Sequence, residues 1–386
     1  MIIKNAKIYG KELKDLEISQ GLIQKIGENL QGEEIFDAKG LTLLPSFIDL
    51  CVYLKNDKFS LNHLDLLEKE CLKGGVSTIL LRDVMDFDEE TFILFLQNLS
   101  HRTLQIFSSV KVKEPLKNIA SMINQGAVAL ELESKLNANI LKIAMQYALM
   151  KKVPIFAKCL NEDFDDNGVM NDCLLSSKLG LIGMSEVAES SEVAKLKEIA
   201  AFYQSEVIYD CLSLARSLKI ATDETILVSI HHLIKNENAC ENFNTAAKIK
   251  PPLRSEEDRV FLQNALKKGK IRFLSAMHCP KSLNLKDLAF DEAAFGIHSI
   301  CEYVSLCYSF LVQNDFISWE KLCEATSLNP AKFLKLNSGE IKEGKEANLI
   351  LFDENVSTKA PLNSLYSKDT LKGEVKHHFL KGKFVF

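Results

Sequence analysis

Between positions 45 and 335 the chain alternates short apolar runs with amphipathic stretches. VSTILLRDV, LQIFSSVKV, AVALELE, VPIFAKCL, SEVIYDCLS, TILVSIHHL and KIRFLSAM each have the length and β-branched character of a buried strand. Between them lie LDLLEKECLKGG, NILKIAMQYALMKK and SSEVAKLKEIAAFYQ, whose apolar residues recur at helical spacing. Strand–helix alternation sustained over this length predicts a parallel α/β fold. With an opening strand at 46–53 there are about eight repeats, so the pattern predicts a (β/α)8 TIM barrel. A doubly wound sheet is the alternative. No glycine-rich phosphate loop follows the first strand, which counts against a dinucleotide-binding sheet.

The two ends read differently. MIIKNAKIYG, DLEISQGLIQKIG and EIFDAKGLTLLP are short β pieces punctuated by glycine, and GEIKEGKEANLILFDE and KGEVKHHFLKGKFVF repeat the pattern at the C-terminus. The expectation is a small β-sandwich module formed by both chain termini, residues 1–44 and 338–386, around a barrel at 45–337.

Composition narrows the function classes. The 386 residues are 47% hydrophobic and 26% charged, with a formal net charge of −5. A nucleic-acid-binding chain would need a basic face, which this balance does not supply. No apolar run approaches the roughly 20 residues of a membrane span, and MIIKNAKIYGKEL lacks the apolar core of a signal peptide. The ten cysteines include no CxxC pair. They read as reduced thiols of a cytoplasmic protein, most of them small buried residues.

Several segments carry a family resemblance in combination: LLPSFIDL (43–50), GGVSTILL (74–81), SEVAESSEVAKLKEIAAFY (185–203), KIKPPLRSEEDRVFLQNALKKGKIRFL (248–274), FDEAAFGIHSICEY (290–303) and SLNPAKFLKLNSGEIKEGKEANLILFD (327–353). With them the chain resembles the cyclic amidohydrolases, most closely the dihydroorotases found beside aspartate transcarbamoylase. The resemblance implies a metal-dependent barrel. It also implies reversible ring closure of carbamoyl aspartate to dihydroorotate. One or two metals polarise the amide and supply hydroxide, and an aspartate on the last strand moves the proton.

Position by position the chain departs from that chemistry. The family frame PGFIDxHxH ends here in Cys51 and Tyr53, and the substrate arginine beyond it is Lys55. The histidine ending the fifth strand aligns with Lys158, and that of the sixth with Cys211. The family's TDHAPH is AMHCPK: Met277 replaces the catalytic aspartate, His278 stays and Lys281 replaces the second histidine. Lys250 stands for the asparagine before PPLR, and Val84 for that of the second-strand loop. Zinc is held by imidazole, thiolate or carboxylate, and these positions offer few such donors.

The reading that follows is a catalytically inactive dihydroorotase-like protein without a resident metal. In that reading Cys51, Tyr53, Met277 and Val84 plug a dry barrel mouth, and Glu131 and Glu133 are either partners for Lys158 or surface glutamates. His231 and His232 are structural, Arg254 and Asp258 support a loop and helix, and Asp49 caps locally. The family includes inactive members that assemble with aspartate transcarbamoylase, and the same role, in an oligomer, is what the resemblance implies here. Two alternatives stay open. One is an active amidohydrolase with a remodelled centre, using zinc on Cys51, Cys159, Cys211 or Cys279. The other is a binder of small anions through Lys55, Lys158, Lys250 and Lys281.

Overall fold

The computed structural model describes residues 1–83, 89–116, 119–165, 167–222 and 224–386. Val84 therefore lies outside the described residues. Eight parallel strands form the centre: Phe47–Val52, Val76–Leu81, Gln105–Lys111, Ala129–Glu133, Ile155–Lys158, Val207–Asp210, Thr225–Ser229 and Phe273–Ser275. Each pairs with the next in chain order. All six residues of the first strand and all six of the second are buried, as expected of strands covered on both faces. The predicted barrel is present, strand for strand.

Closure falls between the first and last strands. Val52 bridges His278 in parallel, and the amide of Tyr53 donates to the His278 carbonyl at 2.7 Å. Asp49 secures the seam from inside. Its carboxylate accepts from the amides of Cys51 (2.8 Å) and Ala276 (2.7 Å) and from the Ser275 hydroxyl (2.5 Å). Burial pushes the Asp49 carboxyl up to about 6, against the pull of these three donors. Asp49 thus does more than cap its own strand.

The helices begin where short polar side chains satisfy their first amides. Ser60 accepts from the amide of His63 ahead of Leu61–Lys73, and Ser255 from that of Asp258 ahead of Glu256–Lys267. Asp258 then reaches out of its helix to accept from the amide of Ala215 at 2.8 Å. Arg254 donates to Ser213 Oγ, Asn171 Oδ1 and the Met184 carbonyl, so PPLRSEEDR ties three segments together. Among the described residues no helix is long and apolar enough to cross a membrane.

Both termini meet in one eight-stranded sheet, where Thr42–Pro45 pairs antiparallel with the start of Leu349–Lys359. Thr42–Pro45 and the first four residues of Leu349–Lys359 are buried on both faces and divide their side chains by the two-residue period of a strand. Leu43, Leu349 and Leu351 enter the core of the terminal module, while Leu44, Ile350 and Phe352 enter that of the barrel. His378 adds a polar tie: its Nδ1–H donates to the Leu72 carbonyl, and its Nε2 accepts from Ser46 Oγ.

Candidate active site

The C-terminal ends of the barrel strands surround a cavity of about 330 Å³. Cys51, Tyr53, Lys158, Cys211, Met277, Lys250 and Lys281 all line it. Lys55 does not: it faces an adjoining cavity of about 370 Å³, beside Glu70, His278 and His298. The mouth is therefore open rather than plugged, because the side chains that stand for the metal ligands do not fill the space between the strand ends.

Beneath the cavity lies Arg82, the first residue beyond the second strand, with none of its side chain exposed. Its guanidinium contacts Asp210 Oδ2 at 2.8 Å and Glu131 Oε2 at 3.2 Å, and donates to the Leu50 carbonyl at 3.1 Å. Its plane covers Phe156 at 4.2 Å. Burial opposes the charge, but the two carboxylates outweigh it and push the Arg82 pKa up. Glu131 is fixed further by the amide of Asp83 and the hydroxyl of Ser109. Burial would raise its carboxyl, yet the Arg82 and Lys158 charges pull it below the usual range.

This network corrects two expectations. Glu131 is the counter-ion of Arg82, and Glu133 pairs with Lys111 at 3.2 Å. Lys158 has no ion-pair partner among the described residues, and its ammonium stands 4.9 Å above the Tyr53 ring. Nor is the mouth basic. Lys250 is neutralised by Glu162 and Lys281 by Asp57, and Asp83, Glu133, Glu189 and Asp210 also line the cavity. The anion-binding reading thereby loses three of its four lysines.

The thiols separate in the same way. Cys51 Sγ and Cys211 Sγ lie 3.7 Å apart, with Tyr53 Oη 4.0 Å from Cys51 Sγ. Cys159 Sγ turns to the Ala157 carbonyl at 3.5 Å, and Cys279 Sγ lies near Asp57 at 3.8 Å. The contact with Cys51, then burial, pushes the Cys211 thiol well up, and burial does the same to the Tyr53 hydroxyl. Both are protonated at neutral pH as they stand.

Histidine ligation of the family's kind does not fit. His231 donates from Nε2 to the Ala276 carbonyl and accepts at Nδ1 from Tyr366. His232 donates from Nε2 to the carbonyls of Pro251 and Pro252 and accepts at Nδ1 from Ser229. His278 accepts at Nδ1 from the amides of Ser299 and Ile300, which leaves its proton on Nε2. A neutral imidazole has one lone pair, and in all three it is engaged. Glu70, His278 and His298 lie close enough to suggest an ion, but the tautomer of His278 takes it out of that set. Among the described residues, the donors that still converge are Cys51, Cys211 and Asp210.

Arg82 and Asp210 went unread in the sequence. The available signal was a charged residue directly ending an apolar barrel strand, once in VSTILLR and again in SEVIYD.

The model of the amidohydrolase family matches residues 187–385. A probable dihydroorotase-like protein from Helicobacter pylori is 31% identical over 400 aligned positions, covering 100% of this chain and 98% of that protein. The dihydroorotase of Elusimicrobium minutum is 27% identical, covering 99% and 96%. Among solved structures, L-hydantoinase (dihydropyrimidinase) from Arthrobacter aurescens superposes with a TM-score of 0.87 at 16% identity, covering 100% of this chain and 95% of that one. A D-hydantoinase structure gives 0.85 at 19%, covering 100% and 94%. The hydantoinase likeness establishes the barrel. The chain belongs to the amidohydrolase family, as a dihydroorotase-like cyclic amidohydrolase.

Proposed function

We propose that this chain is a dihydroorotase-like protein of pyrimidine biosynthesis that no longer closes or opens the dihydroorotate ring and serves as a structural partner of aspartate transcarbamoylase. One observation carries the loss of chemistry. The buried carboxylates under the mouth, Asp210 and Glu131, are held by a fixed guanidinium, and His231, His232 and His278 each have their lone pair engaged. Met277, which lines the cavity at the end of the last strand, cannot relay a proton. The frame around this gap is continuous: the eight barrel strands, the Ser255 cap and the Arg254 contacts are all in place. A stable interface, which usually buries at least about 1,000 Å², gives such a fold a role without a working pocket.

The test expresses this chain and the transcarbamoylase of the same cell separately and together. Co-elution at micromolar concentration, with higher transferase stability or activity in the mixture, is the expected result. Independent elution with unchanged transfer rates would remove the partner role. A second reading, an active amidohydrolase with a remodelled centre, draws on the convergence of Cys51, Cys211 and Asp210. Ring closure by zinc-supplemented protein, purified free of host dihydroorotase, decides for it; a rate no greater than buffer decides against it.

A further inference from the structure

We propose that Cys51, Cys211 and Asp210 form a binding site for one thiophilic divalent cation of the zinc class. A tetrahedral ion with metal–sulfur bonds of about 2.3 Å holds two thiolates about 3.8 Å apart. The two sulfurs here are 3.7 Å apart before any ion enters. Asp210 brings a second, independent observation. Its Oδ2 is bound to Arg82, while its Oδ1 is buried and has no hydrogen-bond partner. A buried acceptor left in this way is costly, and all three ligand atoms lie within 4.8 Å of one another. The guanidinium on Oδ2 orients the carboxylate as outer partners of metal ligands do. Cys211 is held in the left-handed backbone region, φ 52°.

The fixed charges allow the exchange. Arg82 and Lys158 stand against Asp210 and Glu131, two positive and two negative. One divalent ion entering as two thiol protons leave gives a dithiolate complex and leaves the buried charge unchanged. No oxidant or reductant is involved. The cavity of about 330 Å³ gives the ion a path and water for a fourth position. Two sulfurs and one oxygen select zinc or cadmium over magnesium or calcium. The site is compatible with the loss of ring chemistry, because Met277 still leaves the last strand without a proton carrier.

The experiment uses the full chain, stripped of metal and reduced, titrated with cadmium and with cobalt(II). The expected result is one ion per chain with a thiolate-to-metal charge-transfer band. Cys51→Ser and Cys211→Ser should each weaken binding at least ten-fold, while Cys159→Ser and Cys279→Ser leave it unchanged. A parallel measurement needs no variant: one equivalent of zinc should protect Cys51 and Cys211, and no other cysteine, from alkylation as read by peptide mass spectrometry. Absence of a band at stoichiometric cadmium, a band surviving in the doubly substituted protein, or protection of a different cysteine pair overturns the proposal.

Discussion

Arg82 has no exposed side-chain surface, and two carboxylates depend on it. Removing one partner of a buried ion pair leaves the other charges without compensation and costs about 3–5 kcal/mol. Arg82→Met should therefore destabilise the chain by that amount, read as a shift in the urea midpoint at an unchanged slope. A loss under about 1 kcal/mol would show that Asp210 and Glu131 find protons or water instead. A different residue tests the chemistry. Tyr53→His should not restore ring closure, because parts that act as one catalytic unit do not contribute singly and Met277 and Lys158 are unchanged. Measurable turnover in that variant, above the parent, would contradict the inactive reading. At this scale the sequence shows which residue stands at each strand end, since an apolar run of strand length has a readable last position. It does not show which charges meet. Lys250 and Glu162 are 88 residues apart in the chain, and Arg82 and Asp210 are 128 apart; such pairs exist only once the barrel has closed.

Elements were legible where their patterns were strong. Most barrel strands are short apolar runs with a polar residue at one end or both, and the helix over Leu61–Lys73 ends at the Gly74–Gly75 pair that marks it in the sequence. The segment between the fifth and sixth barrel strands was not legible. Its strands, Met170–Asn171 and Gly183–Met184, are two residues long and pair only with each other, too short to show a period. Gly74 has a reason beyond ending its helix. Its φ is −76°, an ordinary value, but a Cβ there would come within 2.1 Å of the Ile300 carbonyl oxygen. The first helix thus lies directly against the backbone that follows the last strand. Gly74→Ala should cost about 2–3 kcal/mol through displaced backbone, measured by thermal unfolding. A neutral result would mean that this contact can open without loss.

For the whole molecule, buried imidazoles tie together parts that are distant in the chain. His378 joins the C-terminal strands to the first helix and Ser46, and His231 joins the short helix after the seventh barrel strand to Tyr366. Their hydrogen bonds require neutral rings. Burial pushes His231 down to about 3, and His232 and His378 down to about 4. In the unfolded chain each titrates near 6.5. Burial holds His278 well down in the same way, so below that value the unfolded state binds protons that these four folded histidines refuse; stability is full above about pH 6.5 and falls as the pH drops toward 4. Asp49 acts in the opposite sense. Its folded value of about 6 lies above the usual carboxylate value of 3.8, so between these limits folding takes up one proton. The histidines outnumber Asp49, so between pH 6 and 4.5 the unfolded state binds more protons than the folded state and stability falls as the pH falls. Urea unfolding across pH 4.5–7.5 should show a plateau at the upper end and this fall at the lower. Asp49→Asn, which keeps an acceptor for the seam but no titrating group, should steepen the fall. A flat profile down to pH 5 would mean that these histidines can charge inside the fold, and that the ties between barrel and terminal module do not depend on their neutrality.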